Sequence, residues 1–136
     1  GFYGCNFHCP FCQNHMISQN TDRPGKAISP EDAAAMASEH DSVGIAYTYS
    51  EPIVHFEYVR DTAKEIRKRG LKNVLVTNGY ISHDAGLELL ELIDAVNVDL
   101  KSMSDEFYRA DFGNVWCAGG TPLRGGPAPT EPHTGV

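Results

Sequence analysis

Gly44-Ile45-Ala46-Tyr47-Thr48-Tyr49-Ser50-Glu51-Pro52-Ile53 reads as a strand handed, through a polar turn, to a helix. Up to Tyr49, apolar and small residues alternate and the side chains are β-prone, which predicts a strand over 44–49. From Ile53 the apolar positions Phe56, Val59, Ala63 and Ile66 recur at three and four residues, the stripe of a helix that Gly70 closes. Working outward, Asn73 to Thr77 predicts a second strand, Ser82 opens a helix carrying Leu87, Leu90 and Ile93, and Ala95 to Leu100 predicts a third strand. Ser104 then caps a short helix through Phe107 and Tyr108. Upstream, Ser29-Pro30-Glu31-Asp32 opens a helix to about His40, with a capping hydroxyl, a proline at the first helical position and acids at the positive end of the dipole. Strands alternating with helices across short loops specify an α/β fold with a parallel sheet and right-handed crossovers. In such sheets the chemistry gathers at the carboxyl ends of the strands.

The chain has 136 residues, enough for one core but short of the ~250 of a complete eight-stranded barrel. The expectation is one domain, or part of one, over 1–110. From Asp111 glycines and prolines dominate (Gly113, Gly119, Gly120, Pro122, Gly125, Gly126, Pro127, Pro129, Pro132, Gly135), and no strand or helix period survives. We expect 111–136 to be a truncated or non-native end, and Gly1 in place of an initiator methionine suggests a cut front as well. The formal net charge of −7 argues against a nucleic-acid surface and against a polybasic membrane signal. No apolar run approaches ~18 residues and no leader pattern is present, so the expected location is cytoplasmic.

Three of the four cysteines crowd the start, in Cys5-Asn6-Phe7-His8-Cys9-Pro10-Phe11-Cys12, spaced C-x3-C-x2-C. Chain reach limits Cys5 and Cys9 to ~14 Å apart and Cys9 and Cys12 to ~11 Å, so three thiolates share one loop. Three soft ligands without a fourth suit an iron–sulfur cube with one iron left open. A zinc-stabilised binding module would instead use Cys5, Cys9, Cys12 and His15. Unliganded core cysteines fit poorly with Pro10 and the polar neighbours, and a disulfide framework fits poorly with the clustering, which argues for a reducing compartment.

Three polar segments follow the strands. Glu51 is either an acid at a helix start or a carboxylate that accepts from a ligand ammonium. Thr77-Asn78-Gly79-Tyr80 carries an ordinary Asn-Gly turn signal. In Val96-Asn97-Val98-Asp99-Leu100-Lys101, apolar residues alternate with Asn97, Asp99 and Lys101, so one face of the third strand either lines a site or is solvated at an edge.

Cys-Asn-Phe-His-Cys-Pro-Phe-Cys-Gln-Asn, Tyr-Thr-Tyr-Ser-Glu-Pro, Val-Thr-Asn-Gly-Tyr and Asn-Val-Asp-Leu-Lys together resemble the radical S-adenosylmethionine (radical SAM) enzymes related to pyruvate formate-lyase activating enzyme. Within that group the chain is most similar to the AmmeMemoRadiSam-system branch, from Gly4 to about Arg109. The resemblance implies a partial (β/α)6 TIM-like barrel, here about three to four βα units. It also implies a [4Fe–4S] cluster whose open iron binds S-adenosylmethionine, an oxygen-sensitive oxidoreductase chemistry in which a 5′-deoxyadenosyl radical abstracts hydrogen, and a low-potential electron donor such as flavodoxin or ferredoxin. The substrate stays open between a protein partner and a small molecule.

Residue by residue, the resemblance makes Cys5, Cys9 and Cys12 the cluster ligands and sets Phe11 as a shield near the adenine. Glu51 falls where the family's Gly-Gly-Glu-type segment meets the amino group, with Tyr49-Ser50 in place of the glycines. Thr77 and Asn78 match its Thr-Asn-Gly, and Asp99 and Lys101 its Asp-Leu-Lys. Val76 stands where activating enzymes have an acid, so no monovalent-cation site is expected. Gln13-Asn14 replaces the usual His-Asn after the third cysteine, which leaves the substrate address undetermined. Cys117 is not expected to be a ligand, and the chain alone is not expected to be a competent enzyme.

Overall fold

The computed structural model describes residues 1–20, 22, 25–104 and 106–108; Cys117 and the Gly/Pro-rich end lie outside them. Chain order is α1 (His15–Ser18), α2 (Pro30–Glu39), β1 (Gly44–Tyr47), a 3-10 turn (Pro52–His55), α3 (Phe56–Lys68), β2 (Lys72–Thr77), α4 (His83–Leu90) and β3 (Ala95–Val98). The three strands form one parallel sheet in the order β1-β2-β3, with Ala46 opposite Val74 and Val76 opposite Asn97. This is the α/β, parallel-sheet architecture expected from the alternating pattern, and it fits part of the barrel that the resemblance implies.

Alternation decides which side of the sheet the helices cover. Tyr47 and Leu75 are buried with Val59 and Ala63 of α3 and Leu89 of α4, and Ile53 completes that core. Ala34, Ala37 and Ile66 form a second cluster where α2 meets α3, the small alanines allowing close approach. Each buried large apolar side chain contributes about 1.5–3 kcal/mol. Within α3 the buried set is Val59, Thr62, Ala63 and Ile66, the predicted stripe with Thr62 added. Gly70, at φ 71°, ends that helix in a Schellman motif, Leu71 N donating to Ile66 O (3.2 Å) and Gly70 N to Arg67 O (3.0 Å). Ser29 caps α2 as expected, its hydroxyl accepting from Asp32 N at 3.1 Å.

One buried asparagine ties four elements together. Asn73 of β2 is fully buried; its Oδ1 accepts from Tyr47 Oη of β1 (2.9 Å), and its Nδ2 donates to Ala63 O of α3 (3.0 Å) and to Leu92 O beyond α4 (3.1 Å). Its N–H donates to Asp94 Oδ2, just before β3, at 2.9 Å.

Several boundaries differ from expectation for local reasons. The first strand stops at Tyr47 rather than Tyr49, because Tyr49 (φ 61°) and Ser50 (φ 54°) enter the left-handed region. The helix expected from Ile53 opens as the 3-10 turn, with Glu51 Oε1 accepting from Ile53 N. The helix from Ser82 ends at Leu90, since Leu92 N and Ile93 N bond three residues back in a tighter turn. The third strand ends at Val98, where Leu100 N folds back onto Val98 O at 3.1 Å. All four residues of β3 are exposed, Val96 and Val98 included, and among the described residues β2 is its one strand neighbour.

The β1–β2 contact makes a sharp demand at Gly44. A Cβ there would lie 1.9 Å from Lys72 O, a backbone atom with no freedom to give way. Gly44→Ala is therefore expected to part the strands at this point and to destabilise by about 1–3 kcal/mol, read as a lower urea midpoint.

Candidate functional site

The cysteine loop is strapped across the carboxyl ends of two strands. Glu51 N, beyond β1, donates to Gly4 O at 3.1 Å, and Asn6 Nδ2 donates to Tyr80 O, beyond β2, at 3.0 Å. Phe7 turns inward, 4% exposed, against the rings of Tyr80 and Tyr108 at 5.5 and 6.2 Å. Within the loop Cys12 N donates to Cys9 O (3.1 Å), and α1 begins as His15 N donates to Cys12 O (3.3 Å). The cysteine segment thus sits where a parallel sheet collects its chemistry.

Cys5 receives two donors, Phe7 N at 3.3 Å and Asn78 Nδ2 at 3.9 Å. Burial pushes its thiol pKa up; the Phe7 N–H opposes this, and the Glu51 charge adds to it. Cys12 Sγ lies 3.4 Å from Ser18 Oγ.

Glu51 is 1% exposed and joins the two strand ends. Its Oε1 accepts from Thr77 Oγ1 (2.7 Å) and Ile53 N (3.2 Å), and its Oε2 accepts from Asn78 N (2.7 Å). Three donors on a group with about four lone-pair positions leave room for one more. Burial raises its pKa most strongly, the three donors pull it back, and Asp99 pushes it up again. The helix-start contact is thus present, and the same residue lines the cavity described below.

Thr77 and Asn78 turn much of their polarity inward. The Thr77 hydroxyl donates to Glu51 and accepts from Gly79 N (3.0 Å). Asn78 Nδ2 donates to Asn6 Oδ1 (2.8 Å), while its Oδ1 accepts from Tyr80 N (2.9 Å). These bonds fix the register of the cysteine loop over β2.

Beyond β3 the polar face stays together. Lys101 Nζ donates to Asp99 Oδ2 at 3.1 Å and Asn97 Nδ2 to Asp99 Oδ1 at 2.9 Å. Phe11 is exposed and stacks on Phe107, with centroids 6.2 Å apart.

A cavity of about 400 Å³ gathers Cys5, Cys9, Cys12, Phe11, Glu51, Thr77, Asn78, Asp99 and Lys101 on its wall. That volume falls in the usual range of small-molecule sites. Ser50 Oγ, also on the wall, is buried with no hydrogen-bond partner among the described residues. Among those residues no three His, Cys, Asp or Glu side chains converge as ligands of a single metal ion, and His15 is exposed and lies off the wall. Asn6, Ser18 and Gln19 were not singled out from the sequence. Only the position of Asn6 between two cysteines hinted at a role.

The family model of the radical SAM superfamily matches residues 1–122. The chain belongs to the radical SAM superfamily. Among curated relatives, an uncharacterized protein of Methanocaldococcus jannaschii is 42% identical over 108 residues, covering 78% of this chain and 32% of the relative. The pyruvate formate-lyase 1-activating enzyme of Escherichia coli K12 is 32% identical over 116 residues, covering 79% and 46% respectively. The 4-hydroxyphenylacetate decarboxylase activating enzyme of Clostridium scatologenes is 27% identical over 70 residues, covering 52% and 22%. The chain spans less than half the length of each of these relatives. No helix among its described residues is long and apolar enough to cross a membrane.

Proposed function

We propose that this chain is the cluster-bearing part of a cytoplasmic, oxygen-labile radical SAM enzyme of the activating type. Cys5, Cys9 and Cys12 would hold a [4Fe–4S] cluster whose open iron takes S-adenosylmethionine, and the bound pair supplies reductive cleavage to methionine and a 5′-deoxyadenosyl radical for hydrogen abstraction. The observation that carries the reading is the arrival of all three thiols in one cavity at the strand ends. The donor set fits, being soft and lacking a fourth thiolate in the loop.

The remaining wall suits an amino acid's polar end. Glu51 keeps a lone pair for an ammonium, Ser50 offers an unspent hydroxyl, and Lys101 presents a cation beside Asp99. Thr77 and Asn78 orient Glu51, and exposed Phe11 gives a flat apolar face at the rim. Two of the relatives are named as activating enzymes, which favours a protein substrate; as the resemblance implies, a flavodoxin or ferredoxin would deliver the electron.

The test is electron paramagnetic resonance of the dithionite-reduced, anaerobically reconstituted protein with and without S-adenosylmethionine. A [4Fe–4S] signal that changes on adding the cofactor is expected. Stoichiometric zinc without iron, or a signal indifferent to the cofactor, would overturn the reading. Asp99→Ala is expected to keep its iron while binding S-adenosylmethionine about tenfold more weakly by calorimetry, the loss of one charge-assisted contact.

A further inference from the structure

We infer that Ser18 is a positioning residue for the cluster, its hydroxyl donating to the Cys12 thiolate and so making the cluster easier to reduce. The inference rests on the cluster reading above and adds a residue to it. Ser18 closes α1, six positions beyond Cys12, and is 3% exposed, with Oγ 3.4 Å from Cys12 Sγ. Between a thiol and a hydroxyl, either atom can donate. A liganding thiolate has no proton, so the hydroxyl must be the donor once Cys12 binds iron.

The neighbouring side chain favours the same orientation. Gln19 Nε2 donates to Phe7 O at 2.7 Å and to Ser18 Oγ at 3.4 Å. With a lone pair of Ser18 Oγ facing that amide, its single proton is left to point at sulfur. The Gln19 bond to Phe7 O also anchors the pair to the cysteine loop, so ligand and donor move together.

Hydrogen bonds to cluster sulfurs are one of the means by which a protein sets a reduction potential. When the cluster gains one electron from an external low-potential donor, negative charge grows on the thiolate sulfurs and an O–H···S bond strengthens. No proton is transferred and no covalent bond changes. The bond therefore favours the reduced state over the oxidised one.

The experiment compares wild type, Ser18→Ala and Ser18→Thr after anaerobic reconstitution. Potentiometric titration is followed by electron paramagnetic resonance, and the iron–thiolate stretches are read by resonance Raman. Ser18→Ala should keep its iron, show a lower potential and shift an iron–thiolate stretch. A tenfold fall in the reduced-to-oxidised ratio at fixed poise corresponds to about 59 mV for one electron. Ser18→Thr, which keeps the hydroxyl, should restore both readouts. Loss of iron in Ser18→Ala with recovery in Ser18→Thr would also support the donor role. A cluster whose potential and stretches are unchanged in Ser18→Ala overturns this inference alone, as does loss of iron in both variants. A wild type without an iron–sulfur signal overturns the cluster reading and this inference with it.

Discussion

Replacing any one of Cys5, Cys9 and Cys12 by alanine is expected to reduce the iron bound after anaerobic reconstitution to background. The loop holds no spare thiolate. The two remaining thiolates leave a second iron corner open, which water and oxygen attack. Iron and sulfide analysis with visible absorption checks this for each variant. A variant retaining wild-type iron would remove that cysteine from the ligand set. The loop should survive the change, because Gly4, Asn6 and Phe7 hold it to the sheet through bonds and packing that do not use the thiols.

The second large effect is expected at Glu51. Glu51→Ala removes the acceptor of Thr77 Oγ1, Ile53 N and Asn78 N together, two of them in buried contacts. Each buried donor left unpaired costs about 1–3 kcal/mol, so the two buried ones should cost at least ~2 kcal/mol together, a sizeable part of a typical domain's 5–15 kcal/mol. Urea unfolding checks it, and a midpoint within error of wild type would refute it. Glu51→Gln removes the titrating group while keeping the shape, and sets an amide NH2 against the donors of one carboxylate oxygen, a cost that does not depend on pH. Burial holds the folded carboxyl above its ordinary range, so the stability tied to its proton is complete below the unfolded value of about 4.3 and is lost as pH rises through the folded value. The advantage of wild type over Glu51→Gln should therefore shrink as pH rises from about 4 towards neutrality. A difference constant over that range would mean the carboxyl titrates alike in both states.

Much of the frame was legible because it depends on neighbours in the chain. The stripe Val59, Ala63, Ile66 needs only helical spacing, and the Ser29 cap needs only the residue three positions on. The cysteine spacing likewise fixes three thiols in one loop before any fold is known. What could not be read depends on partners far along the chain. Glu51 looked like a helix-start acid or a ligand contact, and its bonds to Thr77 and Asn78 cross 26 and 27 residues. The left-handed turn at Tyr49 and Ser50 gave no warning either, since neither residue type favours that backbone. It costs about 1–2 kcal/mol per residue relative to glycine, and the Glu51 bonds on its far side help to hold it. Ser18 and Gln19 had no signal at all, because a serine at the end of a one-turn helix is commonplace until its neighbour is seen.

Asn73 bears on how the molecule comes apart. Its amide closes contacts to β1, to α3 and to the segment between α4 and β3, so one side chain belongs to both strand–helix–strand crossovers at once. If either crossover opened alone, it would strand part of that amide in a dry interior. Partial unfolding is thereby penalised at a single point, and the two crossovers are coupled into one cooperative unit rather than two that melt in turn.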